Sequence, residues 1–384
     1  MPFIKKSLMN KKKIIRVTTV PESIRFYYDL IPTLQKEYEV VGVSSPGEEL
    51  NALSENGVRT IEVAMERRIS IISDIKSLWE MYKVLRNESP YIVHSITPKA
   101  GLITMIAAWL CRVPVRIHTF TGLVWPTAKG LKRRILMFTD WLTCTCATHV
   151  IPEGEGVKTD LQCHITRKPM KVLGYGNVMG VDMVRFSLRP EIAEAAKSLR
   201  NRQLFTFLFV GRIVGDKGVN ELVDAFGRLH AQNPHCRLVL VGKMEEKLDP
   251  LKPSTRKTIL ALNGILAVGA KYADELIAWY AAADCFVLPS YREGFPNTVL
   301  EAGAMGLPCI VTDINGSREI VEDGKNGLVI PSKDASALYE AMLRMMQDDD
   351  LRQALVANAR AMIADRFEES FVKKCLLDFY HDIL

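Results

Sequence analysis

Short apolar runs rich in β-branched and aromatic residues recur along the whole chain, and a helical pattern follows each. The first half carries IIRVTTV, YEVVGVSS, VRTIEVA, YIVHSIT and VPVRIHTF; the second carries TFLFVGR, CRLVLVG, GILAVG, DCFVLPS, PCIVTD and NGLVIP. Runs that are apolar throughout belong to strands buried on both faces. Strands alternating with helices build a parallel sheet covered on both sides. The series pauses and restarts around GNVMGVDMVRFSLRPE (176–191), so two doubly wound α/β domains are expected, 1–185 and 186–367. A length of 384 residues suits two such domains. Helices are expected from about Ser23, around Leu78 and over 98–110, and the tail 368–384 is a helix able to pack back on the first domain. Ligands of such sheets sit beyond the carboxyl ends of the strands, so two facing domains would share one cleft.

Several classes are excluded by composition. The most apolar stretch, GLITMIAAWLC, falls short of the roughly 18–20 residues that a membrane span needs. The eight cysteines show no CxxC, and Cys144 and Cys146 stand too close for a zinc knuckle, so reduced thiols are expected. The N-terminal MPFIKKSLMNKKK lacks the apolar core of a leader, which points to a cytoplasmic protein. Charge is uneven. Residues 1–190 hold 27 Lys and Arg against 17 Asp and Glu (+10), and residues 191–384 hold 23 against 27 (−4). The basic half reads as a solvated face or as one that meets an anionic surface. No basic platform interleaved with aromatics supports nucleic-acid binding.

Two motifs carry candidate chemistry. In SYREGFPNTVLEAGA (290–304), Pro296 suits the first position of a helix that Gly306 and Pro308 stop. Glu293 then lies on the strand-to-helix loop and Glu301 within the helix, while the unpaired N–H groups near Asn297 and Thr298 face an anion. A carboxylate on each side of an anion site suits a ligand with both phosphates and hydroxyls. In FVGRIVGDKGVNELVDAF (209–226), Arg212 just past a strand and Lys217-Gly218 at a helix start offer a planar fork and a point charge to a diphosphate. Each motif alone also fits an ordinary surface loop; both fall at strand carboxyl ends of one domain.

VGRIVGDKG together with PSYREGFPNTVLEAGAMGLPCIVTDINGSREIVEDGKNGLVIP resembles the retaining glycosyltransferases of family 4, most specifically through the two glutamates eight residues apart and the flanking EGFP. IVHSITPKAGLITMIAAWLCRVPVRIHT and GNVMGVD resemble the same family more loosely. The resemblance implies the GT-B fold, two doubly wound Rossmann-like domains facing a central cleft. It implies that Arg212 and Lys217 hold the diphosphate of a nucleotide sugar and that Glu293 meets the donor sugar. Gly294, Phe295 and Pro296 would surround that sugar, Asn297 and Thr298 would lie by the phosphates, and Glu301 would accept from the ribose. It further implies a UDP-linked hexose or N-acetylhexosamine, retention of configuration, and no cofactor or metal, since Arg, Lys and a helix end offset the leaving charge.

Two places depart from that family. Its glycine pair after the first strand reads VPESIRFYYDL here, which leaves Ser23 or the helix start to serve. Its His-Gly reads HTFTG, with Thr121 before Gly122 and His118 three positions earlier. His94 and His118 fit either the acceptor side or a core. HSITPKAG with RIHTFTG is similar to members that extend polyprenyl-diphosphate-linked saccharides in capsule or glycan assembly, where Lys99 at a helix start would suit the diphosphate. In AKGLKRRILMFTDWLTC (128–144), Lys129, Lys132, Arg133 and Arg134 accompany Leu131, Ile135, Leu136, Phe138, Trp141 and Leu142. That pairing suits a helix lying on the inner face of the cytoplasmic membrane, or one packed into its own domain. An epimerase or hydrolase using the same donor, and a two-domain solute-binding protein, are the competing readings.

Overall fold

The computed structural model describes residues 11–66, 70–246 and 249–383. The N-terminal stretch 1–10, read above as no leader, lies outside them. Two compact units divide the chain. One comprises the residues up to Met179 with Leu376–Leu384, the other Gly180–Cys375.

The first unit runs β1 (Lys13–Val17), α1 (Ile31–Glu37), β2 (Glu39–Ser44), α2 (Glu48–Glu55), β3 (Arg59–Glu62), α3 (Ile71–Glu88), β4 (Ile92–Ile96), α4 (Pro98–Leu110), β5 (Val115–Phe120), α5 (Gly130–Cys146), β6 (His149–Pro152) and α6 (Glu155–His164). Its strands are parallel in the order β3-β2-β1-β4-β5-β6, with Ile15 between Val41 and Val93. The chain steps outward from β1 to β3, then returns to β4, so the topological switch lies between β1 and β4. Ile15, Val17, Val41 and Val93 are buried because helices cover both faces, which is why these strands read as continuous apolar runs.

The second unit runs α7 (Pro190–Leu199), β7 (Phe205–Val210), α8 (Val219–Gln232), β8 (Cys236–Val241), α9 (Pro253–Ala261), β9 (Ile265–Gly269), α10 (Ala273–Ala282), β10 (Cys285–Leu288), α11 (Asn297–Ala304), β11 (Cys309–Thr312), α12 (Ser317–Ile320), β12 (Gly327–Ile330), α13 (Ala335–Gln347) and α14 (Asp349–Phe367). Its parallel sheet repeats the topology as β12-β11-β10-β7-β8-β9, with the switch between β7 and β10. Phe207, Phe209, Phe226 and Phe286 fill its core. A last helix, α15 (Glu369–Asp382), spans the boundary at Leu376.

The segment after Gly180 belongs to the second unit, slightly earlier in the chain than the pattern alone suggests. Val181 donates to Phe367 O at 2.8 Å and accepts from Glu369 N–H at 3.1 Å. The Arg360 guanidinium collects the carbonyls of Met183 and Phe186, each at 2.6 Å, and that of Ala304. These hydrogen bonds fix a stretch that has no strand or helix of its own. The end of α15 joins the first unit through buried Tyr380, whose hydroxyl meets His94 Nδ1 at 2.6 Å and Arg16.

The expected helix from Ser23 is absent. Pro21–Phe26 and Tyr28–Leu30 are 3₁₀ turns, and α-helix begins only at Ile31. The aromatic run Phe26-Tyr27-Tyr28 meets the short spacing of those turns, with Tyr27 buried in the core.

Candidate active site

At the switch point of the second sheet, β7 and β10 lie side by side and their following loops leave towards opposite edges. Lys217 comes from the first loop and Glu293 from the second. Lys217 Nζ donates to Glu293 Oε1 at 2.5 Å, and Ser290 Oγ donates to the same oxygen at 2.7 Å. The two charged side chains keep only 20% and 12% of their surface. Buried Ser290 is anchored in turn, its carbonyl accepting from Thr312 Oγ1 at 2.5 Å.

A second ion pair of reversed polarity sits one residue earlier on each loop, where Arg292 Nη2 donates to Asp216 Oδ2 at 2.8 Å. Tyr291 adds a backbone bond to Asp216 O at 2.8 Å and a phenol bond to Glu221 at 2.5 Å. Burial, with the Glu221 carboxylate beside it, pushes that phenol well above its ordinary pKa, so it stays a donor. Gly218 is what permits the closure. Its φ is +70°, and a Cβ there would stand 2.0 Å from the Pro289 carbonyl oxygen. Gly316 plays the same part for the loop after β11, where a Cβ would meet Gly294 O at 2.1 Å.

Arg212 is exposed just past β7. Among the described residues its guanidinium enters no hydrogen bond or ion pair. Gly294 and Phe295 lead into α11, with Phe295 buried against Phe367 at 5.3 Å between rings. Pro296 stands one position before the helix rather than at its first residue. It caps α11 with φ −74° and ψ 104° and accepts from Val299 N–H at 3.0 Å. Having no side-chain acceptor, it caps neither Asn297 N–H nor Thr298 N–H, and both open the helix beside the Glu293 loop.

Glu301 lies one turn into α11, where its Oε2 accepts from Tyr280 Oη at 2.8 Å; Thr298 O is 3.4 Å from the same hydroxyl. Tyr280, on α10, is fully buried, and burial with the adjacent Glu301 carboxylate holds its pKa well above the usual phenol range. It is thus a permanent neutral donor that fixes the rotation of the carboxylate. No local pattern singles it out, because in ELIAWYAAADC it reads as one more core aromatic. Asp216 and Arg292 were missed for a similar reason, being ordinary loop charges until the two loops meet.

The first unit treats its candidates differently. His94 is buried, with Nδ1 held by Arg16 at 3.0 Å and Tyr380 at 2.6 Å, and Nε2 by Thr119 Oγ1 at 2.7 Å. His118 is also buried, with Nδ1 on Ser95 Oγ at 2.9 Å and its ring pressed on Gly101, where a Cβ would lie 2.3 Å away. Burial pushes His118 down to about 3 and His94 well below the usual imidazole range. Both rings are neutral and packed into the sheet, so this geometry makes them core residues. The Lys99 amine is drawn to Asp74, at 2.5 and 2.6 Å from its two oxygens. Ser23 is half-buried in the 3₁₀ turn after β1, and Thr121 is half-buried after β5. Thr19 and Thr97, which the sequence did not single out, face each other across the β1/β4 switch with hydroxyls 2.7 Å apart. Thr97 has φ +82° and ψ 143°, a conformation that costs a β-branched residue on the order of 1–3 kcal/mol.

The helix written as 128–144 spans Gly130–Cys146. Leu131 (73% exposed), Ile135, Phe138 and Trp141 lie at the surface, whereas Leu136 and Leu142 are half-buried. Its apolar side is therefore split, one part packed and one part in solvent. Among the described residues, no three His, Cys, Asp or Glu side chains converge as a metal site, and no helix is long and apolar enough to cross a membrane.

Residues 191–362 match the family model of the glycosyl transferases group 1, and residues 27–176 that of a glycosyl transferase 4-like domain. The capsular polysaccharide biosynthesis glycosyltransferase CapM of Staphylococcus aureus is 32% identical over 380 residues, 98% of each chain. A UDP-Gal:alpha-D-GlcNAc-diphosphoundecaprenol alpha-1,3-galactosyltransferase of Escherichia coli is 29% identical over 368 residues, 93% of this chain and 92% of that one. The crystal structure of Anabaena HepE in complex with UDP-glucose has the same fold, with a TM-score of 0.79 at 18% identity over 97% of this chain and 100% of that one.

Proposed function

We propose, from the premise that this chain belongs to the group 1 glycosyl transferases and is itself a GT-B glycosyltransferase, that it moves a hexose or N-acetylhexosamine from a UDP-sugar to a polyprenyl-diphosphate-linked saccharide, with retention of configuration. The observation that carries the donor side is the Lys217–Glu293 pair, brought to 2.5 Å at the switch point, with Arg212 exposed just past β7 and in no hydrogen bond or ion pair among the described residues. Arg212 and Lys217 neutralise the departing diphosphate, and the start of α11 adds oriented N–H groups. Glu293 accepts from hydroxyls of the sugar being transferred, and Glu301, held by Tyr280, accepts from the ribose. The bond from C1 to the diphosphate oxygen breaks as the bond from C1 to the acceptor oxygen forms on the same face. The acceptor proton passes to the leaving phosphate, so no protein base or metal is called for.

The acceptor side draws support from the named substrate of the E. coli relative, a sugar carried on diphosphoundecaprenol. The exposed apolar residues of α5, set among Lys129, Lys132, Arg133 and Arg134, fit attachment to the inner face of the cytoplasmic membrane. A thermal-shift series with UDP, GDP, ADP and dTDP and their sugars, with and without EDTA, tests the donor. UDP or a UDP-sugar is expected to raise Tm equally with and without EDTA. A shift confined to another nucleotide, or abolished by EDTA, would overturn this assignment. Product analysis with a synthetic polyprenyl-diphosphate saccharide then tests transfer.

A further inference from the structure

We propose that α3 forms a second membrane-inserting face, so that the first unit docks on an anionic bilayer through α3 and α5 together. At the start of α3, Ile71 (75%), Ile72 (86%), Ile75 (63%) and Trp79 (57%) are exposed. Their spacing of i, i+1, i+4 and i+8 puts all four on one stripe of the helix. Soluble surfaces scatter large apolar side chains singly, and a stripe of four needs a partner.

The topology says which partner. Both α4–α3 and α4–α5 pack side by side, so the three helices form one layer over the sheet. In a parallel sheet each helix begins beyond the carboxyl end of the strand before it. Ile71, Ile72 and Ile75 of α3 and Leu131 and Ile135 of α5 occupy the first two turns of their helices, and therefore the same edge of the unit, with Trp79, Phe138 and Trp141 continuing each exposed face along its helix. That edge carries the β1/β4 switch and its strained Thr97. Charge complements the apolar stripes. Lys76 and Lys83 border the α3 stripe, with Lys83 Nζ 5.4 Å from the Trp79 ring centre, and Lys129, Lys132, Arg133 and Arg134 are exposed at the start of α5. Apolar side chains rimmed by Lys and Arg fit a bilayer of anionic headgroups better than a protein surface. On α3 the acidic neighbours of the stripe are each paired with a lysine, Asp74 with Lys99 and Glu80 with Lys76. This inference rests on the membrane reading of α5, and the variants below let the two helices fail separately.

The test is vesicle binding by the full-length chain, using phosphatidylethanolamine–phosphatidylglycerol vesicles and neutral phosphatidylcholine vesicles. Ile72→Glu/Ile75→Glu should weaken binding to the anionic vesicles by ~10², about tenfold for each isoleucine withdrawn from the interface. Because both side chains are exposed, the UDP thermal shift should be unchanged. Brominated acyl chains should quench wild-type tryptophan emission, and Trp79→Phe should remove part of that quenching. Wild-type vesicle binding by the isoleucine variant would overturn the proposal, as would quenching insensitive to Trp79→Phe. So would a lipid-free dimer that the variant converts to monomer without altering vesicle binding, since the stripe would then belong to a second copy. Leu131→Glu/Phe138→Glu separates the two readings: if it binds vesicles normally while the α3 variant does not, α5 is the helix wrongly assigned.

Discussion

Replacing Lys217 by alanine removes the cation that sits 2.5 Å from Glu293 and leaves that carboxylate with Ser290 as its remaining described donor. Breaking a fully buried pair costs about 3–5 kcal/mol. With 20% and 12% of the side chains exposed, water recovers part of that, and a stability loss of ~1–3 kcal/mol is expected. The catalytic loss is larger in proportion. A preorganised charge facing the leaving group supports about 10²–10³ in rate, so Lys217→Ala should lower kcat by that factor. Glu293→Gln should lower it by ~10². The pair predicts more than two separate losses, because without Lys217 the Glu293 carboxylate repels the diphosphate. The double variant Lys217→Ala/Glu293→Gln removes that repulsion and should bind UDP roughly tenfold more tightly than Lys217→Ala alone, a difference of about 1.4 kcal/mol, whereas Glu293→Gln in the presence of Lys217 should bring no such gain. Initial rates over a matrix of donor and acceptor concentrations, with UDP affinity by calorimetry, give every quantity needed. Wild-type rates in both folded single variants would refute the site. Losses in UDP affinity that simply multiply in the double variant would refute the claim that the two residues act as one unit.

Three further outcomes are expected. Tyr280→Phe should raise the donor KM about tenfold and leave kcat within about twofold, since it frees the Glu301 carboxylate to rotate; with a donor lacking the ribose hydroxyl that Glu301 meets, the effect should vanish. Acid should destabilise the first unit: unfolded imidazole takes a proton below about 6.5, whereas buried His118 resists until about 3. The unfolded state therefore binds more protons across that window, and stability falls as pH drops through it. The loss is about 2 kcal/mol at pH 5 from His118, with His94 acting in the same direction, and urea titrations at pH 7.5 and pH 5 would read it. Tyr380→Phe, which leaves Arg16 and His94 short of a partner in the core, should cost ~1–3 kcal/mol, measurable as a lowered denaturation midpoint.

The sequence by itself determined the two doubly wound units, because a strand buried on both faces must be apolar along its whole length and so announces itself locally. It also located the two loops that follow β7 and β10: Gly218, Lys217 and the Glu293–Glu301 spacing are local signatures of a loop feeding a helix. Tertiary structure decided which of the charged and polar residues meet. Lys217 and Glu293 are 76 residues apart, and Asp216 pairs with Arg292 over a gap of equal length. Both pairings follow from strand order, which places β10 beside β7 after the chain has visited β8 and β9. Tyr280 gained its role in the same way, by packing beneath α11. His94 and His118 moved in the other direction, towards the core. Each lies inside its strand, His94 in β4 and His118 in β5, and packed layers close over both, Tyr380 arriving from 286 residues away onto His94 and Gly101 pressing on the ring of His118. Burial then strips them of charge, an outcome set by neighbours rather than by the residue itself.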